Sequence, residues 1–191
     1  MEKQRGVKII AIVALAVAVL GITIAFAAMS QTLTINGTAT MDTAKWDIHF
    51  ENLQEVVTTG SATVITEPTL SDTTFGNFAI SLTKPGDSVK YTFDVVNNGT
   101  IDAYLGTFTK LNPQCTSPTS VTSDATIVCN NLEYTLKYSN GTDVAKTYSL
   151  RKGQRETLEL YIAYKSSATT LPSAKVNISN LGITMVFDQY S

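Results

Sequence analysis

Two cysteines, one histidine and a scatter of acidic residues are the side chains of this 191-residue sequence most able to do chemistry. Cys115 and Cys129 sit in "NPQCTSPTSVTSDATIVCNN" and are the only cysteines. A close pair predicts a disulfide in a chain that reaches an oxidising compartment, with two free thiols as the alternative. A bridge over so short a loop contributes about 3 kcal/mol by restricting the unfolded chain. Two thiols are half a zinc shell and His49 is far from them in sequence, so no metal site is expected. His49 lies on the polar side of "AKWDIHFENL" and reads as a surface residue rather than a base. Asp87 and Asp94 are spaced too loosely for a calcium loop and read as solvated surface. The glycines fall singly in turns, which leaves no phosphate-cradling loop, and there is neither a nucleophile elbow nor a His-Glu-x-x-His pair. The expectation is a protein that is not an enzyme, with no cofactor and no small-molecule substrate.

Side chains of these types have to be carried to their place, and the N-terminus says where. "MEKQRGVKIIAIVALAVAVLGITIAFAAMS" opens with Lys3, Arg5 and Lys8 and runs from Ile9 to Ala28 with only Gly21 and Thr23 as interruptions. A positive head, an apolar stretch and a small-x-small end describe a secretory signal, and Ala25, Ala27 and Ala28 supply the cleavage region. The run also meets the roughly 20 apolar residues of a transmembrane helix. The alanine-rich end and the strand-like residues behind it favour cleavage; retention would make residues 1–28 a membrane anchor. Either way the domain that follows, residues 29–191, is expected outside the cell or on its surface.

Removing residues 1–27 takes away three basic residues and one acidic one, leaving 11 against 15 and a net charge of −4. An acidic remainder argues against nucleic acid as a partner, since phosphate binding needs a basic surface. Only 16% of residues are charged, below the roughly 25% of an average soluble domain. Thr, Ser and Asn take their place, and these favour strands and turns.

Alternation then marks the strands. Val89, Tyr91, Phe93 and Val95 share one face of "SVKYTFDVV", with Lys90, Thr92 and Asp94 opposite, the pattern of a half-buried strand. Leu132, Tyr134, Leu136 and Tyr138 form a second apolar face, and Leu158, Leu160, Ile162 and Tyr164 a third. Trp46, Ile48 and Phe50 point inward in an earlier strand, and "KVNISNLGITMVFDQY" should bend near Asn180-Leu181-Gly182. About nine strands, and no sustained helical period after residue 30, predict an all-β domain: an antiparallel β-sandwich or jelly roll behind an N-terminal apolar helix.

The turns are equally legible. In "TKPGDS", Pro85 presets φ and Gly86 accepts a positive one, which specifies a type II turn. Asn98-Gly99 is a typical tight-hairpin pair. Asn36, Asn98 and Asn140 each begin Asn-Gly-Thr, and Asn177 begins Asn-Ile-Ser, so all four are formal glycosylation acceptors. Turn formation explains the three Asn-Gly pairs without a glycan.

"LTKPGDSVKYTFDVVNNGTIDAYL" resembles the central signature of the TasA/camelysin family of exported bacterial proteins. Pro85, Gly86, Asp87, Asn97, Asn98 and Gly99 match it, and "AFAAMSQTLTINGTATM" is similar to the family's signal-then-strand layout. The likeness covers about the first half of the chain. It implies a jelly-roll-like domain trimmed by a dedicated (SipW-type) signal peptidase and laid down as a fibre or biofilm-matrix component. It also implies self-association by donor-strand exchange, in which a freed N-terminal segment completes the next subunit's sheet. The candidate donor is residues 29–39, with Met29 at its start and Leu33 and Ile35 as pocket fillers; the alternative is an ordinary first strand paired within its own domain. The cysteine loop departs from the fibre-forming members, and the metallopeptidase label of some camelysins finds no ligand set here. Two other readings remain: a membrane-anchored surface binding or adhesion module, and a pilin-like subunit cut after "KQRG". Against the pilin stand Lys8 in the processed helix and the missing Glu.

Overall fold

The computed structural model describes residues 2–28 and 37–189, with the backbone alone for residues 2–3 and 21–28. The chain divides into two units, residues 1–42 and 43–191. The first is built on α1, Glu2–Ala28. No proline interrupts it, and its described apolar side chains, from Val7 and Ile9 to Val19 and Leu20, are exposed on every side. Among the described residues no helix is long and apolar enough to cross a membrane. The apolar run of the sequence continues to Ala28, past Leu20, the last described side chain of α1. Residues 37–42 belong to no strand.

The second unit carries the strands. In chain order these are β1 (Ile48–Glu51), β2 (Val57–Thr59), β3 (Thr63–Thr66), β4 (Thr69–Leu70), β5 (Phe75–Gly76), β6 (Ala79–Ser81), β7 (Ser88–Asn97), β8 (Ala103–Lys110) and β9 (Gln114–Thr116). A short helix α2 (Ser123–Asn131) follows, then β10 (Leu132–Tyr138), β11 (Ser149–Leu150), β12 (Arg155–Tyr164), β13 (Asn177–Ser179) and β14 (Ile183–Gln189). The fold is mostly β, and every named pairing is antiparallel. The larger sheet runs β1-β7-β12-β10, with β2 beside β1 on the same edge of β7; the next runs β11-β8-β14. Three two-stranded pieces, β3-β6, β4-β5 and β9-β13, complete the pairing, and no described sheet closes on itself.

The expected apolar faces meet in rows across the larger sheet. Tyr138, Leu158 and Phe93 stand in register, as do Leu136, Leu160 and Tyr91, and Tyr134, Ile162 and Val89. Such cross-strand neighbours are the unit of sheet stabilisation. Leu105 and Leu150 of the smaller sheet enter the same apolar cluster, with Phe108, Ile183, Met185 and Phe187 packed against it. Each buried Leu or Ile contributes about 1.5–3 kcal/mol. Beside β7, Phe75 stacks on Phe93 at 4.8 Å and Phe78 tilts onto Tyr91 at 5.2 Å.

Four expectations need correction. β7 is buried on both faces, Thr92 and Asp94 included, and the Asp94 carboxylate finds its partners there in Asn52, Arg155 and Thr157. Trp46 is 45% exposed; β1 begins only at Ile48, so Ile48 and Phe50 alone reach the core. Among the described residues the pairing also resolves fourteen strands rather than nine, most of the additions being two or three residues long. Finally, α2 occupies the cysteine loop, where nine residues are too few to show a helical period. The bend before β14 is where the sequence placed it, with Asn180 at φ 64°.

Cys115 of β9 and Cys129 of α2 form the expected disulfide, with Cα atoms 5.9 Å apart. It ties α2 to the β9–β13 pair. Replacing both cysteines by serine should lower unfolding stability by about 3 kcal/mol. Equal denaturation midpoints for the oxidised and double-serine chains would show that the bridge constrains nothing.

Candidate functional site

The Pro85-Gly86 turn forms as expected: Gly86 takes φ 92° and the Asp87 amide donates to the Lys84 carbonyl at 3.1 Å. What the sequence did not reveal is the job of Asp87. Its carboxylate is fully buried, not solvated. Oδ1 accepts from the Ser61 amide at 2.8 Å, and Oδ2 from the amides of Thr83 at 2.7 Å and Lys84 at 3.1 Å. The hydroxyls of Ser61 and Thr83 also donate to it. A side chain on Gly60 would put its Cβ 2.4 Å from Oδ1, so glycine is required there for approach as well as for its φ of 72°. The backbone of the same turn is pinned to the end of β12, Gly86 donating to Tyr164 and Tyr164 to Asp87. Burial raises the carboxyl's pKa, but the hydrogen bonds from Ser61, Thr83 and Lys84 outweigh it and hold the group far below its usual range. All its oxygens face N–H and O–H donors, which leaves none for a cation.

At the other end of β7, Asn97 is a buried connector. Its Nδ2 donates to the carbonyls of Ile101 and Leu150, both at 2.9 Å, and its Oδ1 accepts the Gly99 amide at 3.0 Å. Asn98 is exposed, and its amide donates to the Asp47 carbonyl. The Asn98-Gly99 pair does not close a tight hairpin: β7 and β8, on either side, belong to different sheets. Gly99 has no positive φ. It is needed because a Cβ would lie 2.5 Å from the Lys45 carbonyl.

The second face of β7 holds a charged network. Asp94, 2% exposed, accepts from Asn52, Arg155 and Thr157 at 2.9, 2.8 and 2.7 Å. Burial raises its pKa, and these three partners bring it down below the usual range. Arg155 also donates to Glu51. Lys90 and Glu159 pair at 3.0 Å. His49, expected to be a free surface residue, is only 18% exposed in its side chain and lies between Asp47 and Glu51. No sequence signal joins Asp94 to Arg155, because the contact depends on the β7–β12 register.

The remaining predicted positions are not brought together. Ala25, Ala27 and Ala28 fall in the last turns of α1. Met29, Leu33 and Ile35 of the candidate donor strand lie outside the described residues, as does Asn36. Asn140 and Asn177 are exposed, and Asn140 serves a turn, its Oδ1 accepting the Thr142 amide and hydroxyl. Asp124 of α2 is buried and anchors the segment between β12 and β13, accepting from Ser173 and Ala174 at 2.7–2.9 Å. Beside α2 runs an open polar groove of about 450 Å³, lined by Thr126, Asn130, Ser167 and Thr170 among others. Among the described residues no three His, Cys, Asp or Glu side chains are placed to hold a metal.

Comparison with family models, curated proteins and solved structures gives no match. The geometry centres on the buried Asp87 carboxylate. Asp87→Asn should cost on the order of 2–4 kcal/mol, because an amide NH2 would face backbone N–H groups. The folded pKa of Asp87 is depressed, so its contribution is present above the ordinary value near 3.8 and is lost as pH falls through the folded value. Acid unfolding of the Asn variant should consequently depend less on pH. A variant as stable as the parent would show that the carboxylate holds nothing in place.

Proposed function

We propose that the chain is an exported structural protein, a β-sandwich of jelly-roll type deposited at the cell surface or in the extracellular matrix as a fibre subunit. The observation that carries the export reading is the Cys115–Cys129 disulfide, in a chain whose N-terminus is a basic head on an apolar helix. Disulfides persist where thiols are not kept reduced. Two antiparallel sheets contributing to one apolar cluster support the sandwich. The signature Pro85, Gly86, Asp87, Asn97, Asn98 and Gly99 supports a TasA/camelysin-like family, and each of these residues has a structural task in β7 or its flanking turns. In this reading residues 29–39 add as a strand to a neighbouring subunit, with main-chain hydrogen bonds supplying affinity.

One observation favours a second reading, a membrane-anchored surface module. α1 runs unbroken from Glu2 to Ala28, and a helix apolar all round its circumference needs an apolar environment. The mass of the mature chain decides between them. An N-terminus near Ala28 is expected for the secreted subunit; Met1 would mean an anchor, and Val7 a pilin-like filament. Deleting residues 29–39 should leave a folded domain that no longer polymerises. Filaments formed by that deletion would rule out donor-strand exchange.

A further inference from the structure

His49 is the chain's one imidazole and the one side chain whose ordinary pKa lies near neutrality. Its Nδ1 is 2.8 Å from Asp47 Oδ1 and its Nε2 3.4 Å from Glu51 Oε2. The far oxygens of these carboxylates are already taken. Lys45 Nζ lies 2.6 Å from Asp47 Oδ2, and Arg155 donates to Glu51 Oε1. Arg155 also reaches Asp94 at 2.8 Å. Lys45, Asp47, His49, Glu51, Arg155 and Asp94 thus form a continuous run from the segment before β1, along β1, to β12 and β7.

A neutral imidazole carries one N–H and one lone pair, so it can donate to only one of the two carboxylates and sets a lone pair against the other. The protonated ring donates to both. Charges then alternate without a break from Lys45 to Asp94. The neighbours on other elements do not replace that proton. β7 sets apolar Val96 opposite His49 and Asp94 opposite Glu51. β12 supplies Arg155, whose guanidinium is already shared by Glu51 and Asp94. The turn before β5 gives β1 only a backbone acceptor, the Asp72 carbonyl that takes the Phe50 amide.

We propose that His49 is a proton-operated latch that holds β1 on β7: protonation completes the run of charges, and loss of the proton breaks it in the middle and loosens the strand. β1 suits this role, being a four-residue strand with a strand on one edge and the single Phe50–Asp72 backbone bond on the other. Its release uncovers the backbone of β7 at residues 94–97, an open sheet edge available to another strand. The hydrogen bond with Asp47 raises the imidazole above its ordinary value, against partial burial, and Glu51 adds to the rise. The folded state therefore binds the proton more tightly than the unfolded chain. The latch is fully closed below the ordinary value near 6.5 and opens as pH rises through the raised folded value.

The test is NMR on the full chain in detergent micelles. The single imidazole signal should titrate above the ordinary histidine value. Hydrogen-exchange protection of the β1–β7 amides, corrected for intrinsic rates, should fall severalfold across that titration and stay level in His49→Gln. Protection across β10–β12 should not respond in either chain. A histidine titrating at or below its ordinary value, or the same loss of protection in His49→Gln, overturns the latch. Asp47→Asn gives a check that does not require the glutamine variant to fold: it should lower the imidazole midpoint, and an unmoved midpoint also overturns the proposal.

Discussion

The second unit depends on one buried carboxylate. Asp87 collects three backbone amides and two hydroxyls from segments 60–61 and 83–84, and its backbone is bonded to the end of β12. An ionised group without these donors would cost several kcal/mol to bury, so the fold must assemble them all or not bury it. That requirement fixes where β7 begins. Once Ser88 is placed opposite Ala163, the register carries Phe93 opposite Leu158 and Arg155 opposite Val96. A one-residue slip would turn the apolar face of β7 away from the core. The Pro85-Gly86-Asp87 turn is thus a register device, and the aromatic rows and the charged face of the sheet both follow from it.

The far end of β7 is fixed by a similar logic with a neutral group. Asn97 bonds backward into its own loop through Gly99 and sideways to Leu150, in the smaller sheet. One buried amide therefore sets both the path of the loop and the spacing of the sheets at that end. Gly99 completes the arrangement by letting the chain pass against the Lys45 carbonyl. The 45–47 segment is held there by the bonds of Asn98 and Thr100, so β1 is delivered to β7 already aligned.

Period-two alternation was enough to place β7, β10 and β12 and to name their inward residues, because those strands bury one apolar face against a common core. It could not show that the polar face of β7 is buried too. Asp94 looks like a solvent-facing residue until Arg155, Asn52 and Thr157 are known to be near, and those are distant in sequence. The same limit hid His49: its carboxylate neighbours two residues away were visible, but not the cations that engage their other oxygens. Asn98-Gly99 was read by its commonest use, a tight hairpin, where the chain uses Gly99 for close approach. α2 escaped because a single short helix under a disulfide needs no amphipathic period to be stable.

The sheet edges are not equivalent as places for an incoming strand. The edge of β7 is covered by β1 over residues 94–97 and by β2 over 88–90, with the Gln54 amide on the Thr92 carbonyl between them. β10 is the outer strand of that sheet, but Lys110 Nζ takes the Tyr134 carbonyl at 2.8 Å and Lys137 bridges to Asp143. A lysine across an edge is a common way of discouraging strand addition. β14 differs: seven residues pair with β8 on one side, and no described strand covers the other. With β7 guarded by a strand that His49 can release and β10 blunted by lysine, β14 is the longest edge left open among the described strands. Strand addition at rest would therefore favour the smaller sheet, and addition to the larger sheet would first require β1 to leave.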